Sequence, residues 1–505
     1  MTTTQTLEPA DAVQFMLSER GVLVAGAGVA GRGVLTMLRQ MGAANIIVAD
    51  DHVTQAELAV RDSPEFAKET YLKVAEAREL IGGESAPQLV ITSPGWRPDS
   101  PLLTEAQAAG IPVIGDIEAA WLADQAETFG PARTWLAITG TNGKTTTTAM
   151  LTAMLIADGQ AAAAVGNIGT APGIALTAED RGEQRVDVMV AEVSSFQLHW
   201  APSFRPDTGC VLNLAEDHLD WHGNYASYAD AKAQVFRART AVIPANEPEV
   251  LETIARLWPD ATQIPCEDIR LFSSGESVEL GPAQSVLDGR VSRGDVCIRG
   301  GKVVELAVQD VVLASAEGIS PPGPAGLADA AAAAAMARSV GVKPASIASA
   351  LENFRVQAHR GQVVASTGGA QWIDNSKATN PHAASAALKG QSNVVWIAGG
   401  QLKGAAIEPL IQEVAEALKA VVVLGVDRAI IAEALEKLAP HVPVDVVEET
   451  DPEAAMKAVV ANAKQRVSPG DSVILAPAAA SLDMYTGMSQ RGDLFAEYAM
   501  EGSQS

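Results

Sequence analysis

Three times along the chain, short β-branched runs alternate with helical stretches, and Gly-rich turns separate them. That alternation restricts the fold to parallel sheets covered by helices, because parallel strands need long crossover connections. The first unit opens with Val22-Leu23-Val24-Ala25, turns through Gly26 to Gly31, continues as a helix to about Met41 and returns as the strand Ile46-Ile47-Val48. A second begins at Trp135-Leu136-Ala137-Ile138, after the linker-like stretch Ala126 to Arg133. A third follows Phe354 to Gly361 and includes Val394-Val395-Trp396-Ile397, Val421-Val422-Val423-Leu424 and Val473-Ile474-Leu475. Between Ile269 and Val312 the runs shorten and alternate around Gly turns, which predicts a small antiparallel excursion in the second unit. The expected fold class is α/β with three domains, residues 1–130, 131–358 and 359–505. The Ala-rich run Ala328 to Ala337 predicts a buried, closely packed helix, since Ala has the best helix propensity.

With 505 residues there is ample chain for a core in each domain. Aromatic residues make up only 4%, so these cores should rest on aliphatic strands and close helix packing. The formal charge of −25 argues against nucleic acid or an anionic membrane as partner, because the overall field repels phosphate. The N-terminal MTTTQTLEPADAVQF lacks the basic and apolar regions of a signal peptide, and no run approaches the length of a membrane span. Cys210, Cys266 and Cys297 are odd in number and lack metal-ligand spacing, which predicts reduced packing residues in a cytoplasmic protein.

Two glycine-rich turns carry chemistry. Gly26-Ala27-Gly28-Val29-Ala30-Gly31 lies between a strand and a helix, and Asp50-Asp51 ends the next strand. Such a turn lets a phosphate approach helix-terminal N–H groups, while the acid can accept from a ribose hydroxyl. The alternative reading is a tight turn that binds nothing. Gly140-Thr141-Asn142-Gly143-Lys144-Thr145-Thr146 is more specific, following an apolar strand and leading into the helix Thr147 to Leu155. Backbone amides, a helix N-terminus and a lysine make a polyphosphate cradle, with the Thr145 hydroxyl placed for Mg²⁺. Ile138 stands where the common phosphate-loop pattern has glycine. Downstream, Val188-Met189-Val190-Ala191 ends in Glu192, and Cys210-Val211-Leu212-Asn213-Leu214 leads to Asp217-His218-Leu219-Asp220. Carboxylates and an imidazole at strand ends suit one or two Mg²⁺ ions beside a nucleotide. His199 and His222 have no such setting and read as surface or packing residues.

Six collinear motifs resemble the Mur ligase superfamily: Gly140 to Thr146, Gly166-Asn167-Ile168-Gly169, Glu192 to Leu198, Asp217 to Asp220, Asp374 to Asn380, and Ser481-Leu482-Asp483. Within it the resemblance is to the branch that adds D-glutamate. It implies a Rossmann-like N-terminal domain holding the uridine nucleotide, a central P-loop ATPase domain and a Rossmann-like C-terminal domain. The implied reaction is ATP-dependent: the carboxylate of UDP-N-acetylmuramoyl-L-alanine becomes an acyl phosphate, and the D-glutamate amine displaces phosphate. The setting would be peptidoglycan precursor synthesis, and a monomer is expected.

Residue by residue, the resemblance implies that Gly140, Thr141, Asn142, Gly143, Lys144, Thr145, Thr146, Arg360 and Asn375 bind ATP. Thr145, Glu192, His218 and Lys232 would hold two Mg²⁺ ions, with Lys232 carried as a carbamate that turns a cation into an oxygen ligand. Lys144, Glu192, His218 and Lys232 would be the catalytic set. Gly28, Val29, Ala30, Asp50, Ser93 and Asn167 would contact the UDP substrate, and Lys377, Thr379, Lys403, Ser481 and Leu482 the D-glutamate. The chain departs from the family in reading Asp374-Asn375 where Asn-Asp is frequent, in Met488 at a usually aromatic position, and in the loop Gly323 to Asp329. A nicotinamide-dependent dehydrogenase built on Gly26 to Gly31 would leave the second glycine-rich loop unexplained, and a nucleotide switch would leave Glu192, His218 and Lys232 without a task.

Overall fold

The computed structural model describes residues 6–52, 69–278 and 294–501. Its strands form three sheets. The first contains β1 (Val22–Ala25), β2 (Ile46–Ala49), β3 (Thr70–Leu72), β4 (Leu89–Thr92) and β5 (Val113–Gly115) in the order β3-β2-β1-β4-β5, every pair parallel. This is the doubly wound order in which the chain reverses direction beside β1, so a crevice opens at that strand's C-terminal end. Strands β1, β2, β4 and β5 are buried at every residue, which explains their unbroken apolar runs.

The second sheet contains β6 (Thr134–Thr139), β7 (Ala162–Gly166), β8 (Val188–Glu192), β9 (Thr208–Val211), β10 (Thr240–Pro244), β11 (Asp268–Phe272), β12 (Val296–Arg299), β13 (Lys302–Glu305) and β14 (Val311–Ser315). Its order is β14-β13-β12-β11-β10-β9-β6-β8-β7. Strand β6 lies between β8 and β9, parallel to both, and is the point from which the chain winds in both directions. The expected antiparallel excursion is present: β12 and β13 form an antiparallel hairpin on the far flank.

The third sheet contains β15 (Gln362–Thr367), β16 (Ala370–Asp374), β17 (Val394–Gly399), β18 (Leu418–Leu424), β19 (Val444–Val446) and β20 (Ser472–Leu475), in the order β15-β16-β20-β17-β18-β19. Only β15 runs antiparallel to its neighbour. Alternate residues of β17 and β18 enter opposite cores: Trp396, Val421 and Val423 on one face, Val395, Ile397 and Val422 on the other. The Ala-rich run lies in the helix Pro324–Ser339, where Ala330 to Ala337 are completely buried.

The chain divides into two compact units, one carrying the first two sheets and the other the third. The stretch Ala126 to Arg133, expected to be a linker, is a folded joint within the first unit. Arg133 is buried and pairs with the buried Asp124 at 2.7 Å, while also donating to the carbonyls of Val186 (2.8 Å) and Leu176 (3.2 Å). Asp124 in turn accepts from the Trp135 indole at 2.8 Å. A buried guanidinium and carboxylate demand this full set of partners, and meeting the demand fixes the segment.

Candidate functional site

At the C-terminal end of β6 the chain makes the phosphate loop. Gly143 caps the helix Lys144–Ala157 with φ +81°, a left-handed conformation that glycine adopts without steric cost. The helix N-terminus and the loop amides thereby face the crevice where anions are favoured. Asn213, two positions after β9, braces the loop: it accepts from the Asn142 amide through its side chain (2.9 Å) and from the Thr141 amide through its carbonyl (3.1 Å). Strand β9 therefore stops at Val211 rather than running to Leu214, because Asn213 is committed to the loop. Lys144 Nζ donates to the carbonyls of Gly140 and Thr141, both at 2.9 Å, and Thr146 is buried.

Glu192, the last residue of β8, is buried and receives two donors. Thr145 Oγ1 donates to Oε2 at 2.9 Å, and Asn167 Nδ2 donates to Oε1 at 2.8 Å. Asn167 thus lies beside the phosphate loop, in the turn after β7. Lys232, in the helix Tyr225–Ala233, is buried under the same loop. Its Nζ donates to Gly140 O (2.8 Å) and Thr139 Oγ1 (3.2 Å) and lies 5.0 Å from the Tyr228 ring. Burial, with Lys144 as a second cation nearby, holds its amine well below the usual lysine range. Tyr228 also meets Thr141 Oγ1 at 2.8 Å.

His218 caps the short helix Leu219–His222 with φ +53° and a half-exposed imidazole 3.5 Å from Asp217. Its ring packs on Phe196 at 4.7 Å between centroids. His222 is a packing residue as expected, tied to Ser195 Oγ at 2.9 Å, and burial pulls its imidazole down to about 4. His199 is likewise enclosed among Trp200, Trp221 and His222.

The turn after β1 has the expected form. Gly28 caps the helix Val29–Gln40, and a side chain on Gly31 would lie 1.9 Å from Gly26 O, so only glycine fits there. Val29 is exposed at the mouth of the turn, Ala30 is half-buried, and Ser93 donates to Gly26 O at 3.1 Å. Asp50 closes the next strand and faces this turn. Its two oxygens accept from the amides of Ala27 and His52, each at 2.8 Å, so it braces the glycine-rich turn.

In the second unit, the loops at the C-terminal ends of β16, β17 and β20 collect the remaining residues. Asp374 is fully buried: Oδ2 pairs with His359 Nδ1 at 2.6 Å and Oδ1 accepts from Ser376 N at 2.9 Å. The acid of the Asp-Asn pair is therefore an internal strut, and the half-buried Asn375 is the member that reaches the surface. Lys377 donates its backbone amide to His359 O, and desolvation with the nearby Arg360 lowers its ammonium. Thr379 follows in the same turn, its amide donating to Lys377 O. The Lys403 and Ser481 loops are joined by paired bonds between Gln401 and Ala480 (2.8 and 2.9 Å). Ser481 is buried and Leu482 exposed. Met488 contributes its carbonyl, which accepts from Ser376 Oγ at 2.7 Å.

Sequence reasoning missed Asn213, Tyr228 and Arg491. Asn213 was legible as a polar residue at a strand end. Tyr228 and Arg491 lie in ordinary helical stretches, and only packing shows that one roofs Lys232 and the other is fully buried.

Two family models match the chain, the Mur ligase middle domain over residues 138–268 and the Mur ligase glutamate ligase domain over residues 359–479. The chain is 58% identical to the UDP-N-acetylmuramoylalanine–D-glutamate ligase of Corynebacterium jeikeium over 504 residues, covering 99% of this chain and 97% of that protein. It is 50% identical to the enzyme of the same name from Corynebacterium efficiens, covering 94% of each. Among solved structures, the fold is similar to MurF from Acinetobacter baumannii, with a TM-score of 0.54, 14% identity, and coverage of 98% of this chain and 100% of that one. Full-length identity at this level, joined to a phosphate loop with its acidic strand end, shows that the chain belongs to the Mur ligase family, among its UDP-N-acetylmuramoylalanine–D-glutamate ligases.

Proposed function

We propose that this ligase phosphorylates the carboxylate of UDP-N-acetylmuramoyl-L-alanine with ATP and joins the resulting acyl phosphate to D-glutamate. The observation that carries the reading is the Thr145–Glu192 pair at 2.9 Å, a hydroxyl and a carboxylate set at the mouth of a phosphate loop. Hard oxygen donors of this kind fit Mg²⁺, which is commonly held by one or two carboxylates together with substrate phosphates. When bound, Mg²⁺ would supply positive charge that offsets the charge of the nucleotide phosphates. The loop amides and Lys144 hold the phosphate oxygens, countering the repulsion between a phosphoryl group and an anionic acceptor. Asn167 keeps Glu192 oriented.

Lys232 as an amine donates to two oxygens and does not serve as a metal ligand. Its lowered basicity favours the neutral form that reacts with CO₂, and a carbamate there, with His218, would complete a second Mg²⁺ site. In the second unit, Arg360 and Asn375 are assigned to ATP, while Lys377, Thr379, Lys403, Ser481 and Leu482 are assigned to D-glutamate, whose two carboxylates call for cationic and hydroxyl donors. Gly28, Val29, Ala30, Asp50, Ser93 and Asn167 are assigned to the UDP moiety, with Asp50 also bracing the turn after β1. The reading divides the work among residues 1–130, 131–358 and 359–505, in a cytoplasmic monomer that neither binds nucleic acid nor inserts in a membrane. No helix among the described residues is long and apolar enough to cross a membrane.

Phosphate release tests the reading. It should require UDP-N-acetylmuramoyl-L-alanine and D-glutamate together, with ADP formed in equal amount; steady release without D-glutamate, or equal turnover with L-glutamate, would sink it.

A further inference from the structure

Arg491 is in the first turn of the helix Met488–Met500 and is 1% exposed. A cation there is doubly disfavoured, by desolvation and by the positive end of the helix dipole. Asp483 and Asp374 lie near enough to favour its charge, but neither accepts a hydrogen bond from it among the described residues. Instead the guanidinium is spent on neutral acceptors: Nε donates to Ser376 Oγ (3.1 Å), Nη2 to Ser376 O (2.9 Å), and Nη1 to Gly399 O and Ala479 O (both 3.2 Å). Those acceptors belong to three different segments: the turn after β16, the end of β17 and the loop after β20. Burial draws the guanidinium down to about 10, which leaves it charged at neutral pH.

The same three segments carry Lys377 and Thr379, Lys403, and Ser481 and Leu482. Two of them hold residues with side chains in left-handed backbone: Lys403 at φ +54° and Ala478 at φ +60°. Such conformations persist only where surrounding structure over-determines them. The carbonyls that Arg491 grips lie on either side of this strain, Ala479 adjacent to Ala478 and Gly399 four residues before Lys403. A planar fork of five donors is the side chain that can hold several carbonyls at fixed relative positions, which an ammonium cannot do.

We propose that Arg491 is the positioning residue of the amino-acid site, a buried clamp that fixes the three strand-end loops so that their donors meet the two carboxylates of the incoming amino acid. The proposal rests on the assignment of Lys377, Thr379, Lys403, Ser481 and Leu482 to D-glutamate.

The test is steady-state kinetics of the full-length enzyme with each substrate varied, alongside the thermal midpoint. Arg491→Ala should raise the D-glutamate KM about 10- to 100-fold, the range expected when donors move by about an ångström, and leave the ATP KM within about 3-fold. Added guanidinium ion should lower the D-glutamate KM of that variant again, and Arg491→Lys should recover little. Equal rises in all three KM values, or a loss of kcat alone, would overturn the clamp. Should both variants fail to fold, Ser376→Ala carries the test, because it removes the Nε acceptor: a selective rise in D-glutamate KM supports the clamp and a uniform change overturns it. Lys377→Ala and Ser481→Ala separate this proposal from the assignment beneath it. If they leave the D-glutamate KM unchanged, that assignment falls and the proposal with it; if they raise it while Arg491 and Ser376 variants do not, the clamp alone is overturned.

Discussion

Lys232 shows how far burial can change a residue's chemistry. In sequence it is a helix lysine in Tyr228-Ala229-Asp230-Ala231-Lys232, and nothing in the periodicity marks it. In the fold it is enclosed beneath the phosphate loop, with Lys144 near enough to disfavour a second positive charge. A neutral amine is the form that adds CO₂. Lys232→Ala should therefore lose at least about 100-fold in kcat, as expected for a group acting at the reacting phosphates, and short carboxylates such as formate should restore part of it. A folded variant with undiminished turnover, or one indifferent to added carboxylate, would argue that the lysine only props the loop through Gly140.

Elements meet here at distances that side chains would prevent. The helix Val29–Gln40 of the first sheet packs on the short helix Pro172–Leu176 of the second with backbone nearly touching backbone. A methyl group on Gly173 would stand 2.3 Å from Gly33 O, and one on Gly33 would stand 2.5 Å from Ala171 Cβ. Gly173→Ala should destabilise the protein by about 1–3 kcal/mol through forced separation of the two helices, seen as a lower denaturant midpoint. An unchanged midpoint would mean that the helices part freely. The glycine positions are visible in the sequence, but the partner helix is not, because the contact joins residues well over a hundred positions apart.

For the molecule as a whole, pH dependence should come from carboxyls buried in the helix Asp116–Gln125. Glu118 is completely enclosed; its Oε2 accepts from Ser203 N at 3.0 Å and its Oε1 finds no partner among the described residues. Desolvation, opposed by the Ser203 bonds and by Arg205 and Arg237, pushes it up to about 8, and Asp116 nearby is pushed up to about 6. With the folded-state values raised, the native protein keeps protons that the unfolded chain has already lost. Stability should fall as pH rises from the ordinary carboxylate range to about 8 and level off beyond. Glu118→Gln, which imitates the protonated acid, should flatten the part of that slope between about pH 6 and 8, leaving the part due to Asp116, and be more stable than the wild type above about pH 8; chemical denaturation that shows an undiminished slope between about pH 6 and 8 would overturn the assignment.

The sequence by itself determined the strand and helix order, the two glycine-rich turns and the acidic strand end at Glu192, because these depend on local conformational freedom and on which residues follow an apolar run. It also made the antiparallel flank near β12 and β13 legible from a change in period. The tertiary structure alone decided what buried polar groups would do. Asp50 braces the turn after β1 and Asp374 pairs with a buried imidazole, since each lies where backbone amides or a buried imidazole must be satisfied. Arg133, at the end of the expected linker, is buried and paired with Asp124, and Arg491, in an ordinary helical stretch, is buried against the carbonyls of Ser376, Gly399 and Ala479. The cost of enclosing a charge is set by partners distant in the chain, so local pattern cannot reveal which charged residues will be enclosed.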